Sequence, residues 1–206
     1  MSLNFLCLRL LISNFLIPIF AIRYYERANN REAEMGMTQN PAEIVDLQTL
    51  EKVLLYDEEG EVFRTGLFWE KRPAILIFLR HFGCIACRAH AKDVWRNKEK
   101  YEAKGAQIFF IGNGKPQMIK AFKEELKIKG APIYTDPTLI AFKAAGLKRG
   151  LLSAFGPSSV VDVARLMMAG ERSAPSQEGQ GDVLQLGGVL AIKPGPAITY
   201  HYVSES

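Results

Sequence analysis

The sequence predicts an α/β fold in which helices flank a central mixed sheet, and three features of its 206 residues support this. The run Ala74-Ile75-Leu76-Ile77-Phe78-Leu79 is continuous and rich in branched side chains, as in a strand buried on both faces. Such runs alternate with segments of helical periodicity, which is the pattern of parallel strands joined by covering helices. The end of the chain differs. There, Val189 to Ile192 and Ile198 to Val203 are joined by Lys193-Pro194-Gly195-Pro196 and read as an antiparallel hairpin.

The globular text begins at Ile44, so residues 44–206 are expected to form one domain. Leu54-Leu55-Tyr56 and Val62-Phe63 flank Asp57-Glu58-Glu59-Gly60 and predict an N-terminal β-hairpin. A strand at 74–80 leads into a helix from Ile85 to Lys104, which Gly105 terminates. Gln107 to Ile111 is a second buried strand, ended by Gly112-Asn113-Gly114. Lys115 to Lys127 carries Met118, Ile119, Phe122 and Leu126 at core-facing helical spacing. A short strand at Ile133 to Thr135 precedes a helix from Pro137 to Ala145, with Pro137 at its first position after Asp136. Between about 146 and 182 lies a helical insertion ahead of the C-terminal hairpin. Val160, Val161, Val163, Ala164, Leu166, Met167 and Met168 predict an amphipathic helix whose apolar stripe is core or a cap over the site, a membrane-surface or partner-binding helix being the alternative. The Gly-, Ser-, Gln- and Glu-rich loop Glu171 to Asp182 is expected to be mobile.

Residues 1–43 are a separate matter. Leu3 to Ile22 is strongly apolar and fits a membrane anchor, a signal peptide or a buried helix, although Asn4, Arg9, Ser13, Asn14 and Pro18 interrupt it. Arg23, Arg27 and Arg31 follow, which for an anchor would leave the downstream domain on the cytoplasmic side. Translation starting at Met35 or Met37 is a further reading. The expected location is cytoplasmic, with membrane association through residues 3–22 if they are an anchor.

Composition narrows the function. A hydrophobic fraction of 48% is ample for a core, and a net charge of +4 is mild. Lys92, Lys98, Lys100 and Lys104 read as a solvated helix face, and no basic, aromatic-interleaved stripe points to nucleic acid. Three cysteines, one of them Cys7 in the N-terminal segment, argue against a secreted disulfide scaffold.

The chemistry concentrates in Phe82-Gly83-Cys84-Ile85-Ala86-Cys87-Arg88, a Cys-x-x-Cys pair where a strand turns into a helix. With Gly83 making the turn, Cys84 falls at the helix start, where unpaired N–H groups and the positive dipole end favour a thiolate. Arg80, Arg88 and a protonated His81 would push the same way, making Cys84 the expected nucleophile and Cys87, one turn deeper, the resolving thiol. Two alternatives remain open at this level. The cysteines can pack as small hydrophobes, or join His81 and His90 in a zinc site. Three-residue steps on a helix advance about 300° each, which works against convergence of those four. A c-type haem is excluded because Arg88 stands where histidine is required. Gly112-x-Gly114 is too weak to be a dinucleotide fingerprint, and no cofactor is expected.

A βαβ unit with Cys-x-x-Cys at its first turn, followed by a C-terminal hairpin, is the order of the thioredoxin-like fold. The segment Phe78 to Arg88, the stretch Gly146-Leu147-Lys148-Arg149-Gly150 and Gln185-Leu186-Gly187-Gly188-Val189 together resemble the AhpC/TSA-type peroxiredoxin-like proteins, in the peroxiredoxin-like 2 branch. The resemblance covers about Ile44 to Val203. It implies a thioredoxin-like fold with antioxidant or thiol-disulfide activity and, in some members, NADPH-coupled reduction of peroxide-type lipids. Cys84, Cys87, Arg80 and His81 are the expected site residues, with Arg80 stabilising the thiolate or pairing with a helix carboxylate, and His81 acting as acid or base or packing beside the turn. Substrates would be peroxides or disulfides, and the reductant thioredoxin, glutaredoxin or glutathione. There are departures from the pattern. Ile77 and His81 stand where typical peroxiredoxins have Pro and Thr, and Gly187-Gly188 and Phe78 stand where thioredoxins have a cis-proline and a buried carboxylate. The family's closing C-terminal helix is not in the sequence, which would leave part of one sheet face uncovered and either favour a homodimer or mark a truncated product. The alternative function is a non-catalytic redox-sensing or binding module on the same fold.

Overall fold

In the computed structural model, residues 44–150, 164–174 and 178–204 are described. The elements are α1 (Leu47–Lys52), β1 (Leu54–Tyr56), β2 (Val62–Arg64), a 3-10 turn (Thr65–Phe68), β3 (Ala74–Phe78), α2 (Ile85–Arg96), α3 (Lys98–Glu102), β4 (Gln107–Gly112), α4 (Gln117–Leu126), β5 (Ile133–Thr135), α5 (Ile140–Ala144), β6 (Gly188–Lys193) and β7 (Ala197–Val203). The strands form one mixed sheet in the order β2-β1-β5-β4-β3-β6-β7. Parallel pairs β3–β4 and β4–β5 occupy its centre, and antiparallel hairpins close both sides.

Side-chain alternation along the strands supplies two cores. One face sends Leu76, Phe78, Phe109, Ile111, Leu190 and Ile192 against Leu50, Leu55 and Phe142. The other sends Ile77, Ile108, Phe110 and Ile133 against Ala91 and Val94 of α2 and Ile119 and Phe122 of α4. The central strands are therefore buried on both faces, as their unbroken apolar runs demand. The carboxyl end of β3 leads directly into the cysteine turn and α2.

Several expected boundaries move. The helix foreseen from Ile85 to Lys104 breaks at Asn97, whose side-chain amide donates to the Asp93 carbonyl at 2.9 Å and whose backbone N–H caps the end of α2. The helix foreseen from Pro137 begins at Ile140. Asp136, 1% exposed, accepts hydrogen bonds from the Thr138 N–H at 3.0 Å and the Ala141 N–H at 2.6 Å, holding 136–139 in a side-chain-closed turn with Leu139 at φ 61°. Asp46, which accepts from the Thr49 N–H at 3.0 Å, starts the unforeseen α1.

The insertion also departs from expectation. Residues 164–168 are helical, but Met167 is 57% and Met168 88% exposed, so at those positions the stripe is neither core nor cap. Val160, Val161 and Val163 lie outside the described residues. Of the lysines read as solvated, Lys92 is ion-paired with Glu171 and Lys98 lies over the Trp95 ring at 5.3 Å. Among the described residues no helix is long and apolar enough to cross a membrane. The readings of residues 1–43 lie outside the described residues.

Candidate active site

Past Phe78 the chain keeps one more sheet contact, the Leu79 N–H donating to the Ile111 carbonyl at 2.8 Å, and then turns. The Cys84 N–H donates to the His81 carbonyl at 3.2 Å, so Phe82 and Gly83 form the tight turn between β3 and α2. Phe82 is buried beneath it, its ring 5.2 Å from that of Phe122. Cys84 is the N-cap of α2 in extended conformation (ψ 121°), one position earlier than a first-turn residue.

This position separates the two thiols. Cys84 is half-buried and Cys87 buried, and both are free. The Ala86 and Cys87 backbone N–H groups face the Cys84 sulfur without closing a regular cap hydrogen bond. The Cys84 thiol is lowered from 9.0 to about 6, first by the hydrogen bond from the Cys87 side chain, then, against the opposing effect of burial, by those backbone groups and the Arg80 charge. Cys87 is pushed well above 9.0 by the same hydrogen bond, which its proton supplies, and by burial. The Arg80 backbone N–H donates to the Cys87 sulfur at 3.2 Å.

The structure brings the four expected residues into one turn. The Arg80 carbonyl accepts from Asn113 Nδ2 at 2.8 Å, and its Nε is buried with no partner. His81 has a buried, unpartnered Nδ1, and its pKa is lowered by burial and by Arg80 while Asp182 partly opposes this. At neutral pH its imidazole is therefore uncharged, so the push toward the thiolate expected of a protonated His81 is absent. Arg88 takes no part either. It is 7% exposed and committed to Glu125 at 2.6 Å, the Phe82 and Arg172 carbonyls, and the Phe122 ring. Among the described residues no three or more His, Cys, Asp or Glu side chains could together hold a metal ion, and His90, part of the zinc reading, is turned into a site where burial lowers its pKa.

Sequence reasoning missed the neighbours that hold the turn in place. Asn113, 4% exposed in the loop after β4, joins Arg80 to the Asp182 carbonyl, the latter at 3.3 Å. Asp182 is paired with Arg149 at 2.7 Å, giving the Gly146-to-Gly150 block a structural use. The loop foreseen as mobile is tied down where it is described. Glu171 pairs with Lys92, the Arg172 carbonyl accepts from Arg88 at 3.2 Å, and the Ala174 N–H donates to the Gly83 carbonyl at 3.3 Å. On its return the Gln180 carbonyl accepts from the Phe82 N–H at 3.1 Å and the Gly179 carbonyl from the Lys115 N–H at 2.7 Å. The Gly-x-Gly spacing at 112–114 was the available signal for this close approach.

Comparison with known proteins gives a consistent picture. The profile of the family described as AhpC/TSA antioxidant enzyme matches residues 93–206, from within α2 onward and beyond both cysteines. Prostamide/prostaglandin F synthase of Danio rerio is 32% identical over 150 residues, covering 71% of this chain and 73% of that protein. Thioredoxin-like protein AAED1, chloroplastic, of Arabidopsis thaliana is 29% identical over 71% of this chain, which spans 61% of that protein's length. Peroxiredoxin-like 2C of Bos taurus is 28% identical over 70% of this chain and 66% of its own length. Among solved structures, peroxiredoxin Q of Xanthomonas campestris (TM-score 0.54, 10% identity) and peroxidoxin BcpB of Mycobacterium tuberculosis (TM-score 0.53, 16% identity) each cover 75% of this chain and 82% of their own. These two show the fold, which is thioredoxin-like.

Proposed function

The chain belongs to the AhpC/TSA antioxidant enzyme family, and we propose that within its redox chemistry it reduces peroxides, or small disulfides, through Cys84 and Cys87. The observation that carries the proposal is the inequality of the two thiols, with Cys84 held as thiolate at the helix start and Cys87 held protonated one turn deeper. The Cys84 sulfur attacks a peroxide oxygen, the S–O bond forms as the O–O bond breaks, and the alcohol or water leaves. Cys87 then attacks the sulfenic sulfur, giving up its proton as water departs, and an internal disulfide results. Two equivalents of an external thiol return both cysteines to the reduced state. Arg80 supports the thiolate, and neutral His81 is the group in the turn able to accept a proton.

Peroxide consumption with glutathione or a thioredoxin system as reductant tests this on the wild type, Cys84→Ser and Cys87→Ser. Loss of turnover in Cys84→Ser, with sulfenic acid trapped on Cys84 in Cys87→Ser, is expected. Turnover that survives both substitutions refutes the proposal, and a wild type that binds oxidant without turnover marks the redox-sensing module instead. A second reading rests on the relatives called prostamide/prostaglandin F synthase, about one third identical over most of the chain. Assaying formation of those products with the same variants tests it.

A further inference from the structure

Two backbone groups of the turn that carries Cys84 are taken by a later segment of the chain. The Phe82 N–H donates to the Gln180 carbonyl at 3.1 Å, and the Gly83 carbonyl accepts from the Ala174 N–H at 3.3 Å. The limb at 171–174 is fastened to the cysteine helix through Glu171 to Lys92 and the Arg172 carbonyl to Arg88. The limb at 178–182 is fastened to the loop after β4 through Gly179 and Glu178 to Lys115, and Asp182 to Asn113. The approach is close enough to require glycine at 114, where the neighbour is backbone, while at 83 the neighbour is the end of the Gln180 side chain. A Cβ on Gly83 would stand 2.4 Å from the Gln180 side-chain oxygen, and one on Gly114 would stand 2.5 Å from the Gly179 carbonyl.

Extended peptides dock on a fold through main-chain hydrogen bonds to unpaired backbone groups. We infer that the two limbs occupy, from within the chain, the backbone groups a partner protein would need at the cysteine turn, so that the Cys84–Cys87 disulfide is reduced by a small thiol of the glutathione class and not by a thioredoxin-type protein. This rests on the two-cysteine cycle proposed above and narrows it. A free tripeptide thiol needs only a line of approach to the half-buried Cys84 sulfur. A folded reductant must also seat the chain around its own cysteine, and here that seat is filled. The same contacts exclude protein disulfides as oxidants.

The test begins with protein oxidised by hydrogen peroxide, the disulfide being verified by intact mass after alkylation. Reduction is then followed with glutathione, and separately with thioredoxin, its reductase and NADPH. The wild type should be reduced by glutathione and, at equal thiol concentration, at least about tenfold more slowly by thioredoxin. Gly114→Ala, which forces the 178–182 limb outward, should raise the thioredoxin rate at least about tenfold and leave the glutathione rate within about twofold. Glu171→Gln combined with Glu178→Gln, which loosens both limbs at their ion pairs, serves if Gly114→Ala does not fold. Thioredoxin reducing the wild type as fast as glutathione does, or no gain in the loosened variants, overturns the inference. Failure of the peroxide step to form any disulfide overturns the two-cysteine cycle itself and is read before either reductant is added.

Discussion

Replacing Cys87 by alanine tests how the site makes its nucleophile. The Cys84 thiol lies at about 6 instead of 9.0, and at about 1.4 kcal/mol per unit this favours the thiolate by on the order of 4 kcal/mol. The largest contribution is the hydrogen bond from the Cys87 side chain. A hydrogen bond to a charged acceptor is worth about 1.5–3 kcal/mol, so its loss should raise the Cys84 midpoint by about one to two units. Cys87→Ser keeps a hydroxyl donor in the same place and should raise it less. The assay is the pH dependence of iodoacetamide alkylation at Cys84, read by peptide mass so that Cys7 and Cys87 do not contribute. Cys84 is depressed relative to a free thiol, so in the wild type its reactivity is complete well above pH 6 and is lost as pH falls through about 6. In Cys87→Ala the same loss should be centred at about pH 7 to 8, about one to two units higher. A wild-type midpoint near 9.0 refutes the thiolate reasoning, and an unmoved midpoint in Cys87→Ala assigns the depression to the helix start and Arg80 alone.

Other perturbations separate groups that look alike in sequence. Arg80→Met should raise the Cys84 midpoint and slow its oxidation by peroxide, measured by stopped-flow, because the Arg80 charge acts on that sulfur. Arg88→Met should leave that midpoint in place but lower stability in urea by about 1–3 kcal/mol, since its partner Glu125 is half-exposed and can be re-solvated. Asp136→Ala strips the acceptor from the Thr138 and Ala141 N–H groups and should destabilise by about 2–4 kcal/mol while alkylation of Cys84 is unchanged. Phe82→Ala empties the space under the turn and should cost about 3–5 kcal/mol in a denaturant titration.

The parts of the fold legible in the sequence are those whose signal is local. Ala74 to Phe78, Gln107 to Gly112 and the two hairpins are strands because their side chains are apolar where both faces of the sheet are covered, and that pattern is present residue by residue. The helix ends were less legible. Asn97 and Asp136 decide them through side-chain hydrogen bonds to backbone groups several positions away, and apolar spacing carries no trace of such bonds. The cysteine pair, Arg80 and His81 lie within eight consecutive residues and could be named together. Asn113, Gln180 and Asp182 could not, because what makes them part of the site is contact between segments about 30 to 100 residues apart in the chain.

The inequality of the two thiols follows from where each sulfur sits relative to the start of α2. Burial by itself disfavours both thiolates, and at Cys87, the more buried, only the smaller effects of the Arg80 N–H and charge oppose it. At a helix start the first N–H groups have no carbonyl to reach, and those of Ala86 and Cys87 are turned toward the residue before the helix, which is Cys84. Three residues further on, Cys87 has its own amide directed back at Cys84 and receives only the Arg80 N–H. Its proton is therefore retained and offered to its neighbour, which depresses one thiol by the same bond that raises the other. Typical peroxiredoxins add a threonine hydroxyl at the position His81 holds here. Here that position carries an imidazole whose buried Nδ1 has no partner and whose pKa burial lowers, so under the proposed cycle the groups left to align a peroxide, besides this ring, are the backbone N–H groups and Arg80 that act on the Cys84 sulfur.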